Sequence, residues 1–550
     1  MGFNVAELLP RAAEQNPSGP ALIYRPGGWV ASPSYAYMSF RELDERADAY
    51  ARGLAGLGLE RGQRVLMLVP QSPEFVALTF AVFKVGALPV MIDPGMGPAL
   101  MFRCIAQARP EALIGIRKAH VARSLVRAPF ATVRLNVSTD GLFPGAIPLS
   151  RLADRSGPFD AADTEEDEPA AILFTSGSTG PPKGVVYRHR IFRAQVELLR
   201  DTFGFTPGEV DMPGFPLFAL FSTALGLTVV LPELDPSRPA RCRPEKLVQA
   251  IQQWKVNNLH GSPAIWQRVG EYCREHQIRL PSVKRVLTFG ASIPPDLLRT
   301  WADILPEASE VYTPYGATEA LPVACITGRE VLSQTSLLSA AGAGTCVGQP
   351  VPGVEVRILA ITDDPIPTWR DDLVLPQGQF GEVAVCGDVV TWAYDGLLGE
   401  TERAKIRDGE RIWHRMGDMG YLDEQGRLWV LGRKSHRVEG RNQRYFPDAA
   451  EGMVNPHPRV ARSALVGVGQ PGQQEPVLVV EPRDREVAYD AAEQKRLTPE
   501  LLDLMRPHPL YRDVKTVLYH GNFPVDRRHN AKIHREELAR WASKRLGVGA

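Results

Sequence analysis

The sequence predicts an α/β fold: a mostly parallel sheet covered on both faces by helices. Two patterns carry that expectation. Short apolar runs, such as 64–70 and 88–94, alternate with longer stretches in which apolar residues recur at helical spacing. Strands that alternate with helices build parallel sheets, because the chain returns to the same edge only through a crossover. At 550 residues the chain is long enough for two or more domains and a sizeable core.

Taken in order, 40–58 reads as an amphipathic helix. Phe40, Leu43, Ala47, Tyr50 and Leu54 share one face between charged residues. The run 64–70 is a buried strand, 73–85 a second helix and 88–94 a second strand. The acidic run 164–169 reads as a solvated linker. Ala170-Ala171-Ile172-Leu173-Phe174 is a buried strand that opens into a loop. A helix follows over 191–203, then a strand and turn over 283–292 and a strand over 381–387. Toward the C-terminus come short strands at 463–467 and 476–481 and a helix near 499–506. No internal repeat or low-complexity segment is present.

Composition excludes several function classes. Lys plus Arg and Asp plus Glu both number 63, so there is no electrostatic footprint for nucleic acid or an anionic membrane. The six cysteines form no C-x-x-C pair, which argues against zinc and a disulfide framework and fits a reducing cytoplasm. The first residues lack a basic n-region, and no run reaches transmembrane length. The best candidate, 75–92, is broken by Lys84, Gly86 and Pro89. The expectation is a cytoplasmic protein with a small-molecule substrate, no nucleic-acid partner and no transmembrane segment.

The loop after Phe174 carries the first chemistry. Thr175, Ser176, Gly177, Ser178, Thr179, Gly180 and Lys183 combine hydroxyls, glycines and an ammonium within a few positions. Glycines let backbone N–H groups approach a bound group, and hydroxyls and lysine add donors. The combination suits a polyphosphate; the plainer reading is a flexible Gly/Ser turn. It is not a Walker A loop, because Gly184 follows Lys183 where Ser or Thr is required. Further on, Tyr315-Gly316-Ala317-Thr318-Glu319 offers a flat ring for a purine, a hydroxyl for a phosphate and a hard oxygen ligand for Mg²⁺. Alone it also reads as a turn. Asp418, in Met416-Gly417-Asp418, can accept from both hydroxyls of a ribose, or be a β-turn aspartate.

The loop, the Tyr315–Glu319 motif and the Asp418 motif stand in the order of the adenylate-forming superfamily, which holds acyl-CoA synthetases, luciferases and peptide-synthetase adenylation domains. The chain resembles that superfamily from about Phe83 to Lys532. The resemblance implies a large N-terminal domain with mixed sheets and covering helices, residues 1–432, and a small mobile α+β lid, residues 433–550, with the hinge near Leu431–Ser435. It implies ATP and Mg²⁺, the metal on Glu319, and a nucleotide held also by Gly290, Ala291, Ser292, Tyr315, Gly316, Ala317, Thr318, Asp418 and Arg433. Catalysis would fall to Thr318, Glu319 and Lys532, although a lysine in a basic tract is ordinarily just solvated. The apolar tract Phe218-Ala219-Leu220-Phe221 resembles a core motif of the family and, as a pocket wall, suits an aliphatic acyl chain; it reads equally as core.

As a whole the chain is similar to the β-lactone-forming branch of the superfamily, found in bacterial long-chain olefin biosynthesis. Ala219, Ser435 and Asn442 contribute to that likeness. Asn442 stands where thioester-forming relatives usually have Gly, which would allow unusual backbone angles and approach of a pantetheine arm. The implied reaction activates a 2-alkyl-3-hydroxy fatty acid as its adenylate, and the 3-hydroxyl then displaces AMP to close a β-lactone. Other enzymes of the same pathway are candidate partners. The alternatives are a long-chain fatty acyl-CoA synthetase and a non-catalytic nucleotide- or acyl-binding regulator. Loss of Glu319 or Lys532 would favour the regulator, and both are present.

Overall fold

The structure, a computed structural model, describes residues 2–26, 34–153, 157–175, 180–525 and 533–548. A seven-stranded sheet runs in the order Ile147–Pro148, Leu135–Ser138, Ala112–Gly115, Arg64–Leu68, Leu88–Met91, Pro169–Phe174 and Gly184–Arg188. Its pairings are parallel except the last, where Pro169–Phe174 and Gly184–Arg188 form an antiparallel hairpin. That hairpin holds the Gly/Ser loop at its tip.

The helices over this sheet follow from local chemistry. Ser39 and Glu42 close a capping box on Phe40–Gly56: the Ser39 hydroxyl accepts from the Glu42 N–H, and Glu42 Oε2 accepts from the Ser39 N–H at 2.7 Å. Pro73–Val85 starts on a Ser72 cap and stops at Gly86, whose φ of 76° is the left-handed conformation a helix terminus favours. Every residue of this helix but Glu74 is buried, so the helix is core, as an all-round apolar helix must be in a soluble fold. Lys84, which interrupts the apolar run in the sequence, is buried too and is neutralised by Asp44 and Asp48. Phe75, Phe80 and Phe83 from this helix enter the main core, each contributing about 1.5–3 kcal/mol of apolar burial.

The acidic run is not the solvated linker that its charge predicts. Glu166 pairs with Arg193, Asp167 with Arg188 and Arg190, and Glu168 with Arg61. Thr164 is buried, and its carbonyl accepts from the Phe3 N–H at 2.8 Å. Cations from two separate stretches, Arg61 and 188–193, fasten the run to the body, a pairing that local sequence does not reveal.

The second, fourteen-stranded sheet changes character along its length. Pro20–Tyr24, Thr228–Val230, Val210–Pro213, Asn258–Gly261, Arg285–Thr288 and Glu310–Ala317 lie parallel. From Ala320–Thr327 onward, through Thr345–Pro350, Leu428–Arg433, Arg411–Leu422, Gly381–Cys386 and Glu355–Leu359, the pairing is antiparallel. The sheets are therefore mixed, and the change of direction falls at the Glu310–Ala317/Ala320–Thr327 hairpin. Open α/β sheets bind ligands beyond the carboxyl ends of their strands, and both Phe289–Ser292 and the 317–320 turn lie there.

After Arg433 the chain leaves the large sheet and builds a three-stranded sheet of Val460–Val468, Glu475–Pro482 and Thr516–Tyr519, packed by the helices Pro447–Val454, Ala491–Met505 and Arg535–Leu546. Both strands are longer than the sequence predicts. The middle helix begins well before 499, because the Asp490 side chain caps it by accepting from the Ala492 and Glu493 N–H groups. Among the described residues no helix is long and apolar enough to cross a membrane.

Candidate active site

One cavity of about 2410 Å³ gathers nearly all of the predicted site residues that the structure describes. One end of it is the neck of the hairpin, at Thr175, Gly180 and Lys183. Across the neck of that loop, the Thr175 N–H donates to the Lys183 carbonyl at 3.0 Å, and the Lys183 N–H donates to Thr175 Oγ1 at 3.2 Å. Ser176, Gly177, Ser178 and Thr179 lie outside the described residues; Thr175, Gly180 and Lys183 line the cavity. Residues 393–395 zip onto the outgoing strand: the Val186 N–H donates to the Ala393 carbonyl, and the Asp395 N–H to the Gly184 carbonyl at 2.7 Å. This brings Tyr394 beneath Lys183, whose ammonium lies 4.9 Å from the ring centroid. Lys183 also pairs with Glu400 at 2.5 Å, and the ammonium holds the Glu400 carboxyl below its ordinary range.

Thr318 and Glu319, on the hairpin turn of the large sheet, line the same cavity as Thr175 and Lys183. Gly316 lets that hairpin close, since a Cβ there would sit 2.7 Å from the Ala320 carbonyl. The Tyr187 hydroxyl donates to the Thr318 carbonyl at 2.7 Å, tying the two sheets together at the site. Glu319 is fixed at both ends. Its carbonyl accepts from the Thr391 N–H at 2.9 Å and the Thr391 hydroxyl at 3.0 Å, and its Oε1 accepts from the Tyr394 hydroxyl at 2.7 Å. Lys405 backs Thr391, donating to its carbonyl and, at 3.2 Å, to its hydroxyl. Burial pushes the Lys405 ammonium down to about 7, with Glu319 acting in the other direction.

Elsewhere in the cavity, Asp418 and Arg433 are direct cross-strand partners on Arg411–Leu422 and Leu428–Arg433. Arg433 Nε lies 3.3 Å from Asp418 Oδ1, and the Tyr315 hydroxyl donates to Oδ2 at 2.5 Å. Burial raises the Asp418 carboxyl, opposed by Arg433 and Tyr315, while Asp418 raises Arg433. The sequence expectation gave Tyr315 a ring; the structure adds a hydroxyl that orients Asp418. Gly290, at φ 93°, turns the chain after Arg285–Thr288 and presents Ala291 and Ser292 to the same cavity.

The apolar end is built on Pro216–Ala224. Phe218, Leu220 and Phe221 line the cavity. Ala219 does not: it is fully buried in the main core, because a helix that aims 217, 218, 220 and 221 one way turns 219 the other. Asn442 also departs from expectation. It is exposed on the turn between Val438–Glu439 and Arg444–Tyr445, and its φ is not positive. A glycine's conformational freedom is therefore not what this position requires. Ser435 is exposed at the cavity's edge. Lys532 lies outside the described residues.

Tyr394, Thr391, Lys405 and Glu400 were missed by the sequence reading. They fall in 391–405, which carries no motif of its own, and they reach the site through pairings across the chain: 393–395 on the hairpin strand, Val390 with Ala320, and Lys405–Asp408 on Arg411–Leu422. No group of three or more His, Cys, Asp or Glu able to hold a metal occurs among the described residues. A Mg²⁺ fits nonetheless, because this ion takes one or two carboxylates and completes its shell with phosphate oxygens and water. Glu319 lines the cavity, and its Oε2 has no hydrogen-bond partner among the described residues.

Comparison with known proteins gives the family. Residues 9–394 match the family model described as AMP-binding enzyme. The chain is 47% identical over 553 residues to an olefin beta-lactone synthetase of Xanthomonas campestris pv. campestris, covering 98% of each chain. It is 46% identical to one of Stenotrophomonas maltophilia, covering 99% of this chain and 98% of that one. Among solved structures it superposes on the amide bond synthetase McbA of Marinactinospora thermotolerans with a TM-score of 0.78 at 22% identity, covering 98% and 99% of the two chains. The O-succinylbenzoate coenzyme A synthetase of Bacillus subtilis, solved with ATP and magnesium ion, gives a TM-score of 0.73 at 20% identity, covering 96% and 98%. With its family model spanning most of the chain and relatives matching end to end, the protein belongs to the AMP-binding, adenylate-forming enzymes.

Proposed function

We propose that the protein is a β-lactone synthetase: it activates a 2-alkyl-3-hydroxy fatty acid with ATP, and the 3-hydroxyl then displaces AMP to give the β-lactone. The observation that carries the reading is the meeting, in one cavity, of Thr175, Gly180 and Lys183, the Tyr394-held Glu319, the Asp418–Tyr315–Arg433 cluster and the aromatic wall of Phe218 and Phe221. End-to-end likeness to two proteins named olefin beta-lactone synthetase supports the choice of product.

In this reading the loop donors and Lys183 hold the β- and γ-phosphates, the polyphosphate competing with Glu400 for the Lys183 ammonium. Tyr315 packs against the base, and Asp418 accepts from the ribose hydroxyls. Glu319 would hold a Mg²⁺, which when bound would supply charge screening for the polyphosphate. The substrate carboxylate attacks the α-phosphorus, so no side-chain nucleophile is needed. Lys532, carried on a small lid of residues 433–550 hinged near Arg433, neutralises charge that develops on the α-phosphoryl and its bridging oxygen. The 3-hydroxyl oxygen then attacks the acyl carbon and loses its proton to solvent, the bond from that carbon to the AMP phosphate oxygen breaks, and the ring closes as AMP leaves. An intramolecular nucleophile has an effective molarity of about 10⁵ M or more, which offsets part of the ring strain. The direct test of the first step is the nucleotide product: AMP and pyrophosphate are expected, and stoichiometric ADP overturns adenylation.

A further inference from the structure

The cavity has two apolar walls that belong to different cores. One is formed by Phe80, Phe83, Phe192 and Leu220, all buried in the main core of the N-terminal half. The other is formed by Leu298 and Val331, which belong to or pack against the second core beneath the large sheet. The first wall is closed: its side chains are at most 8% exposed. The second ends in the helical stretch Val331–Ala343, where Leu337 lines the cavity and is 79% exposed. The walls meet at an aromatic seam. Phe218, on the Leu220 helix, lies 4.8 Å between centroids from Phe289, on the segment leading toward Leu298, and Phe215 lies 5.7 Å from Phe289.

We infer that the two walls are separate arms for the two alkyl chains of one substrate, a closed arm along Phe83 and Leu220 and an open arm past Val331 to Leu337. The inference rests on the 2-alkyl-3-hydroxy acid assigned above. In such an acid the two chains leave adjacent carbons, C2 and C3. Ring closure through C1, C2, C3 and the 3-oxygen holds both carbons at the reacting centre, so the chains diverge from one point and a single straight tunnel admits only one. The difference between the arms adds a specificity rule. The chain in the closed arm meets a wall and has a sharp length limit. The chain in the open arm passes Leu337 into solvent and has a weak one.

The test uses acids in which one chain is lengthened while the other is held fixed, with kcat/KM read from pyrophosphate release and the product from NMR. For the wild type, lengthening one chain past its limit lowers kcat/KM by about 10-fold or more, the scale on which hydrophobic pockets reject a misfit, while lengthening the other changes it by less than about 3-fold. Leu220→Trp shortens the limit of the first chain only, and Val331→Trp imposes a limit on the second only. Thermal unfolding of each variant establishes that it is folded, and the wild-type asymmetry stands as a test without them. Equal limits for both chains in the wild type, or two folded variants that alter tolerance for the same chain or for neither, overturn the two-arm assignment. A wild type that turns over none of these acids overturns the functional reading itself, and the arms with it.

Discussion

The Tyr394 hydroxyl donates a 2.7 Å hydrogen bond to Glu319 Oε1, joining the segment that follows the phosphate hairpin to the turn of the large sheet. Burial, and the Glu319 charge after it, push the Tyr394 phenol above its ordinary range, so it stays a donor across working pH. Glu319 is thereby held in one orientation before any polyphosphate arrives. Tyr394→Phe removes that restraint and leaves the packing. We expect kcat/KM for adenylate formation to fall about 10-fold, the size of one hydrogen bond to a charged group, and half-saturation to need more Mg²⁺. Unchanged rates at limiting Mg²⁺ contradict this role.

Tyr315 and Asp418 make a second such pair, at 2.5 Å. Tyr315→Phe leaves a buried carboxylate short of a donor, with Arg433 as its remaining charged partner. The expected outcome is a loss of about 1–3 kcal/mol in unfolding free energy together with a higher KM for ATP. A variant that unfolds like the wild type and binds ATP equally well contradicts the pairing.

Lys532→Ala is expected to keep the fold and ATP binding but to lower adenylate formation by about 10²-fold or more, the scale for losing one group that stabilises developing charge. Near-wild-type turnover by a folded variant removes Lys532 from the site.

His189 sets a pH dependence of stability. It is 2% exposed, and its Nδ1 accepts from the Val5 N–H at 3.1 Å, which requires a neutral ring. Burial pushes its pKa down to about 4, against about 6.5 for a free histidine. Between those values the unfolded chain binds a proton that the folded chain refuses. Stability from this residue is therefore intact above pH 6.5 and is lost as pH falls toward 4, at up to about 1.4 kcal/mol per pH unit. His189→Gln, which can still accept from Val5, is expected to flatten the slope of unfolding free energy against pH in that window by up to one proton. Identical slopes rule the assignment out.

Much of this was legible in the sequence because it is local. The helix Pro73–Val85 matches its predicted bounds because Ser72, Pro73 and Gly86 punctuate it within the chain. The hairpin loop, the 315–319 turn and Asp418 could be read because each carries its chemistry in a few consecutive residues. What could not be read depends on pairing across the chain. Tyr394 reaches Glu319 through the docking of 393–395 on the hairpin strand, and Lys405 reaches Thr391 from the strand Lys405–Asp408. The ion pairs of 166–168 draw on arginines from two stretches, Arg61 and 188–193. Ala219 was misplaced for another reason: an apolar run does not say which of its residues a helix turns toward a cavity and which toward the core.

Capture of the adenylate by the substrate's own hydroxyl is tested by incubating the protein with ATP and Mg²⁺ and a matched pair of 2-alkyl acids, one 3-hydroxylated and one not, each with and without coenzyme A, and identifying the products by NMR. The hydroxy acid is expected to turn over fully to a β-lactone without coenzyme A, while the plain acid stops at bound adenylate. If the plain acid turns over rapidly once coenzyme A is added, and the hydroxy acid also needs it, the protein is an acyl-CoA synthetase and capture by the hydroxyl is ruled out.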